Sequence, residues 1–296
     1  AGYDFKELKG LIDTDKFTLE KFREAGYTAQ HLKEAKYDDA KELKNNAKFT
    51  AQELKTAGYD AKDLKAAGCT IQELKAAGCT ISDIEEVGFN VGQLKNEAGY
   101  TAQELKSVCT VNELKENGFT FKQLKDAGYT ATQLKTAGFN DVQQLKDDGE
   151  FTAQELKTAE FTIEQLIEAN YTPKELKKIT NLLPEEKKKI IFKYKDSVDD
   201  VKKLKFAGFT APDLKATGYF DESDGIRKMK DAGYTAKELK NANFAFANFK
   251  KDVVGYTIKE LKIAGFNAKQ MVLAGYDKND IQKYFGKTAG FTDTDF

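Results

Sequence analysis

Apolar residues return along this chain with a period near ten. From Leu32 to Leu176 a Leu or Ile anchor stands at Leu32, Leu43, Leu54, Leu64, Leu74, Ile84, Leu94, Leu105 and onward, in steps of ten with several elevens and a single nine. The positions between anchors are polar or small and keep a fixed order. Thr, Asp or Asn opens each unit, as at Thr50, Asp60, Thr70, Thr80, Asn90 and Thr101. The side-chain oxygen of these residues accepts a bond from a free N–H at a helix start. Three residues later comes Glu, Gln or Asp, as at Glu53, Asp63, Glu73, Asp83, Gln93 and Glu104, which completes a capping box. An aromatic residue or Cys just before the cap, such as Tyr100, Phe119 or Tyr129, suits a hydrophobic staple. Ala-Gly closes the unit at 57–58, 67–68, 77–78, 127–128 and 137–138. Glycine there can take the left-handed conformation that satisfies the last carbonyls.

The pattern therefore predicts one helix of about six or seven residues per unit, with its start and stop written in. Such a helix is too short to survive alone in water. Its stability must come from packing anchor and aromatic against neighbouring units, which is the logic of a solenoid. A continuous helix is disfavoured by a Gly and a fresh cap in each unit, and a coiled coil by the missing 3.5-residue spacing. A β-solenoid is disfavoured by the dominance of Ala, Glu, Leu, Lys and Gln. The fold expected is all-α: an elongated α-solenoid of about 25 very short capped helices, two per superhelical turn. Helices stacked 8–10 Å apart would give a rod on the order of 100 Å long.

Composition narrows the function. The chain of 296 residues is 40% hydrophobic, with 21 Phe, 13 Tyr and no Trp, enough for a narrow continuous core. It is 32% charged with a net charge of −1. That balance argues against nucleic acid as the main partner. The basic residues are nearly all Lys, with only Arg23 and Arg227 as Arg, and bidentate phosphate or base readout prefers Arg. No run of eighteen apolar residues is present, so no membrane insertion is expected. Cys69, Cys79 and Cys109 replace the staple aromatic. Three sparse cysteines suit small buried hydrophobes better than a disulfide framework or a zinc site. Reduced cysteines and no visible signal peptide lean towards an intracellular place. The chain opens at Ala1 inside a unit, Ala1-Gly2-Tyr3-Asp4-Phe5-Lys6-Glu7-Leu8-Lys9, and stops at residues 291–296 where another unit would begin. It reads as a processed chain or a piece of a longer one.

The breaks in the repeat divide the chain into a first solenoid half at 1–177, an irregular insert at 178–200 and a second half at 201–296. Within the insert, residues 181–195 read as a longer helix with Pro184 in its first turn, acids leading and lysines trailing. A docking face is one reading of this segment; a structural helix covering the seam is the other. A second break, at 243–254, carries three Phe that either mark a partner contact or fill the core at a corner. Candidate partner contacts are accordingly Lys187, Ile191, Phe192, Tyr194, Phe244, Phe246 and Phe249. The stretch 219–225 is acidic but lacks the calcium-loop pattern, so it reads as a lengthened turn. The boundary at 10–17 is lengthened too.

His31, the only histidine, stands where the capping-box Glu would be and has no companions for a triad. No phosphate loop, dinucleotide fingerprint or HExxH motif occurs. The expectation is no enzyme, cofactor, metal or small-molecule substrate. A threonine at every unit could form an ice-binding array, but Asp60, Asn90, Asn267 and Asp277 take the same place. That exchange preserves capping and spoils an array. Lys follows nearly every anchor, as at Lys55, Lys65, Lys75, Lys95 and Lys106. Stacking would set these in ladders with Glu along the outside, either a solvated face or a charged track for an acidic polymer.

The phrase Ala-Gly-Tyr-Thr-Ala-Lys-Glu-Leu-Lys at 232–240 resembles the tandem decapeptide repeats of many bacterial, protist and large-virus proteins. The resemblance covers most of the chain outside 178–200. It implies an elongated helical repeat fold and transfers no catalytic or binding residue. The function expected is a structural scaffold subunit of a larger assembly, such as a filament, ciliary or surface structure, through self-assembly or protein partners. A protein- or peptide-binding adaptor is the alternative.

Overall fold

Each unit begins where its cap begins. In the computed structural model, which describes residue 10 and residues 18–285, Thr50 Oγ1 accepts from the Glu53 N–H at 3.2 Å. The Glu53 carboxylate in turn accepts from the Thr50 N–H at 2.7 Å. The helix between these signals, Ala51–Thr56, has six residues. At its far end Gly58 sits at φ +89°, and the Tyr59 N–H reaches back to the Leu54 carbonyl at 3.1 Å. This closure satisfies carbonyls that would otherwise be orphaned. The same construction repeats at Ala61–Ala66, Ile71–Ala76, Phe121–Asp126, Ala131–Thr136 and Ala153–Thr158. Thr70→Ala is expected to destabilise by about 1 kcal/mol, read from the urea midpoint. No loss would mean that the cap does not hold the helix.

Two helices make a turn. Ala40–Asn45 packs on Ala61–Ala66, and Ala51–Thr56 on Ile71–Ala76. Further on, Ala131–Thr136 packs on Ala153–Thr158, and Pro173–Lys177 on Val198–Phe206. The fold is thus an all-α solenoid of short capped helices, with no strand among the described residues. The chain divides into two compact units, residues 1–129 and 130–296. In both, the anchors form the seam: Leu54, Leu64, Leu124, Leu156 and Leu214 are wholly buried. The staple aromatics Tyr59, Phe119, Tyr171 and Phe209 pack beside them, and the three cysteines are buried and unpaired.

The breaks stay within this scheme. Pro184–Lys193 is a ten-residue helix with Pro184 in its first turn. It packs on Ile163–Glu168 and Ala211–Lys215, as a regular unit would. Tyr219–Asp221 forms a single 3-10 turn running into Ser223–Asp231. Gly225 is needed there, because a Cβ would lie 2.6 Å from the Phe220 Cα. The unit read at residues 1–9, the boundary beyond Gly10 and the start at residues 291–296 lie outside the described residues.

Candidate functional site

The lysine after most anchors does not stand in a solvated ladder. Lys106 Nζ donates to the carbonyls of Ala127 at 3.0 Å and Gly128 at 2.8 Å, and lies 4.6 Å from the centre of the Tyr129 ring. Lys146 repeats this on Ala169 (3.0 Å), Asn170 (2.7 Å) and the Tyr171 ring (4.7 Å). Lys135 does the same on Ala159, Glu160 and Phe161. Each lysine thus closes the helix two units ahead. Its charge meets the negative end of that helix and the electron-rich ring face together. The same cation also reaches the capping-box carboxylate that opens the third unit: Lys44–Glu73 at 2.9 Å, Lys75–Glu104 at 3.2 Å, Lys157–Glu186 at 2.6 Å, and Arg23–Glu53 at 3.2 Å. The expected outer track of charge is corrected to a clamp between turns. The cause is distance in the chain, since partners lie 21 to 30 residues apart.

One clamp is rewritten at both ends. Glu85 stands where lysine stands elsewhere, and Cys109 stands where its ring partner would be. The thiol meets the Glu85 carboxylate at 3.6 Å. Burial, with Glu85 beside it, pushes the Cys109 thiol up to about 11.

The buried tyrosines form a second link between turns. Tyr234 donates its hydroxyl to the Phe209 carbonyl at 2.7 Å, Tyr256 to Tyr234 at 2.6 Å and Tyr276 to Tyr256 at 2.5 Å. Among the described residues no buried side-chain polar atom lacks a partner. The Thr101 N–H holds the Glu104 carboxyl below its ordinary value. Its contribution to stability is therefore present above the usual carboxylate range and lost as pH falls through the lowered value. Burial pushes the Tyr276 hydroxyl up to about 12. That contribution is present below the ordinary tyrosine value and lost as pH rises through the raised one. Melting temperature is expected to hold level between about pH 5 and about pH 10 and to fall on both sides. Thermal scans across pH check this.

The sequence candidates separate. Ile191, Phe244 and Phe249 are buried within this chain and cannot serve as exposed contacts. Their reading is corrected to core positions. Ile191 faces the seam of its helix, and Phe249 packs against Phe266 at 5.2 Å between ring centres. Phe246 is half-buried and stacked on Phe249 at 5.9 Å, while Phe244 lies under Lys215. Lys187 is half-buried and pairs with Asp213 at 3.4 Å, which Lys177 also meets at 3.4 Å. Tyr194 is half-buried, its hydroxyl on the Tyr171 carbonyl at 3.3 Å. Phe192 alone of the seven is open, at 47% exposure. His31 is exposed, and its Nδ1 accepts from the Thr28 N–H at 3.1 Å, so the imidazole substitutes for the capping-box carboxylate.

Sequence reasoning passed over four exposed apolar side chains in the second unit: Leu183, Phe206, Ile263 and Leu273. Phe206, Ile263 and Leu273 occupy the seventh position of their repeats, where Thr56, Ala66 and Asp126 stand elsewhere, and that contrast was the available signal. Open furrows recur between the first turn of one helix and the outer side of the helix two units on. The one between residues 60–66 and 83–87 has a volume of about 760 Å³. Equivalent furrows lie beside Thr28 and Thr210. Among the described residues no group of three or more His, Cys, Asp or Glu is placed to hold a metal ion. No described helix is long and apolar enough to cross a membrane.

A family model described as a decapeptide repeat region matches residues 38–108, 108–180 and 224–296. The chain belongs to this decapeptide-repeat family. No curated protein and no solved structure matches it.

Proposed function

We propose that this repeat protein is a non-enzymatic scaffold, a subunit of a larger assembly built from protein partners or further copies of itself. One observation carries the reading: most positions of the decapeptide already work for the fold. Staple, cap, capping box, anchor, clamp and stop leave chiefly the third and seventh positions of each unit open, as at Gln52 and Thr56. Side chains presented at regular intervals suit docking better than catalysis, which needs unlike groups converging on one point. Sedimentation across concentration, joined to cross-linking mass spectrometry in the native extract, tests it. A particle of defined stoichiometry is expected. A chain that stays monomeric and cross-links to nothing sinks the reading, and turnover that disappears in His31→Ala would revive an enzyme.

An adaptor that holds one protein or peptide on the solenoid face is the second reading. Phe206 and Leu273, each 78% exposed at positions small or polar in other units, favour it. Phe206→Ser with Leu273→Ser would then abolish one partner and leave stability unchanged.

A further inference from the structure

The seam is closed unevenly in the first unit. At the second position of the repeat, Ala51, Ala61 and Ile71 are buried, whereas Ile81, Val91 and Val111 are only half-buried. Phe89, a staple residue, is half-buried as well, and Val108 is 38% exposed. The clamp onto Cys109 is missing, since Glu85 replaces lysine and the Ser107-Val108-Cys109 junction has no glycine, while Lys65 still covers the Phe89 ring. Residues 80–117 carry seven acids against three lysines. Those lysines are spent within the fold: Lys95 on the Asn117 carbonyl, Lys106 on Gly128, and Lys115 over the Phe121 ring. Glu86, Glu97, Glu113 and Glu116 form no ion pair among the described residues. Half-open apolar side chains and carboxylates without an ion pair thus occur together in this stretch.

The second unit carries the opposite surface. Residues 174–205 hold eleven lysines against six acids, in a chain whose net charge is −1. On the helix Pro184–Lys193, Ile190 and Ile191 face inward. At 100° per residue the opposite side presents Phe192 with Lys188, Lys189 and Lys193 around it. Phe192, Lys189 and Lys193 are exposed, and Leu183 at the start of the helix is 62% exposed. Lys188 pairs with Glu185 and Lys189 with Glu164, while Lys193 forms no ion pair among the described residues. An exposed aromatic in a stretch with a surplus of lysines complements half-open apolar side chains in a stretch with a surplus of carboxylates.

We propose that a second copy of this chain docks its basic stretch, residues 174–205, on the acidic half-open stretch, residues 80–117, so that copies join head to tail. Such a contact uses two different surfaces and leaves one of each free at the ends, so it can propagate. The inference rests on the scaffold reading and names its partner.

Charge exchange tests it. Glu86→Lys/Glu116→Lys reverses one surface and Lys189→Glu/Lys193→Glu the other. The first pair breaks no ion pair among the described residues, whereas Lys189→Glu also removes the Lys189–Glu164 pair to the helix Ile163–Glu168, so unchanged helical signal and melting temperature are required of both variants. Sedimentation velocity of the whole chain at low salt should show concentration-dependent association that weakens as salt screens the charges. Each variant alone should associate at least about tenfold more weakly, and an equimolar mixture should recover, because each reversed surface then meets an opposite one. Association that persists in both variants, or a mixture that fails to recover, overturns this interface and leaves the scaffold reading standing. A wild-type chain monomeric at every concentration and salt overturns both the interface and self-assembly. If that monomer binds phosphatidylserine vesicles through Lys189 and Lys193, the occupant is a lipid surface and the inference is wrong.

Discussion

Replacing Leu64 by alanine is expected to lower the stability of the first unit by about 3 kcal/mol. Leu64 is wholly buried, and its helix Ala61–Ala66 is packed by Ala40–Asn45 on one side and Ile81–Glu86 on the other. It also meets Ala51–Thr56 and Ile71–Ala76. The loss therefore combines the transfer energy of the removed carbons with a cavity that neighbours on several sides prevent from collapsing. A six-residue helix has almost no stability of its own, so damage at one anchor reaches the turns stacked on it. Urea titration followed by helical circular dichroism gives the number. Lys62→Ala, at the exposed third position of the same helix, should stay within about 0.5 kcal/mol. A loss below about 1 kcal/mol at Leu64 would mean that the anchors do not form the core.

Removing the charge of a clamp should come next in size. Lys146→Met keeps the stem and deletes the ammonium that serves the Ala169 and Asn170 carbonyls and the Tyr171 ring. The expected cost is about 1–2 kcal/mol. It is kept modest because the Asn170 carbonyl lies where water can replace the lost donor. Lys146→Arg should retain most of the stability, because an arginine already forms one of the clamps. Arg23 reaches the Ala47 carbonyl at 2.9 Å and lies 4.7 Å from the Phe49 ring centre. Thermal unfolding of both variants decides it. A Met variant as stable as the parent would reduce the clamp to an incidental contact.

Local features were legible in the sequence. Thr50, Glu53 and Gly58 act within their own helix, so their spacing in the chain is their spacing in space. What joins turns was not legible. Lys106 and Gly128 are 22 residues apart, and the pattern that places a lysine after every anchor is equally that of a solvated helix face. The pairing of Glu85 with Cys109 shows that the signal was present in a coupled exchange, readable only once the turn length is known. The candidate contacts failed where they did for a related reason. Ile191 and Phe249 lie in or beside stretches that break the ten-residue period but keep a helical or 3-10 rise, so their buried sides follow the turn and not the template. Phe244 keeps the template, standing ten residues after Tyr234 in the staple place beneath Lys215. Phe192 stayed open because its position falls opposite Ile190 and Ile191.

The clamp makes the chain behave like a text read in frame. A lysine addresses the helix two units ahead and the carboxylate three units ahead, so a decapeptide gained or lost shifts every address that spans it. In stretches of identical units the shift is silent, because any neighbour offers the same carbonyls, ring and acid. Between Glu85 and Cys109 it is not, because one added unit would set the carboxylate against a foreign ring. Growth by duplication is thus free in the uniform stretches and punished at the individual ones, and those individual junctions fix the length of the sequence between them.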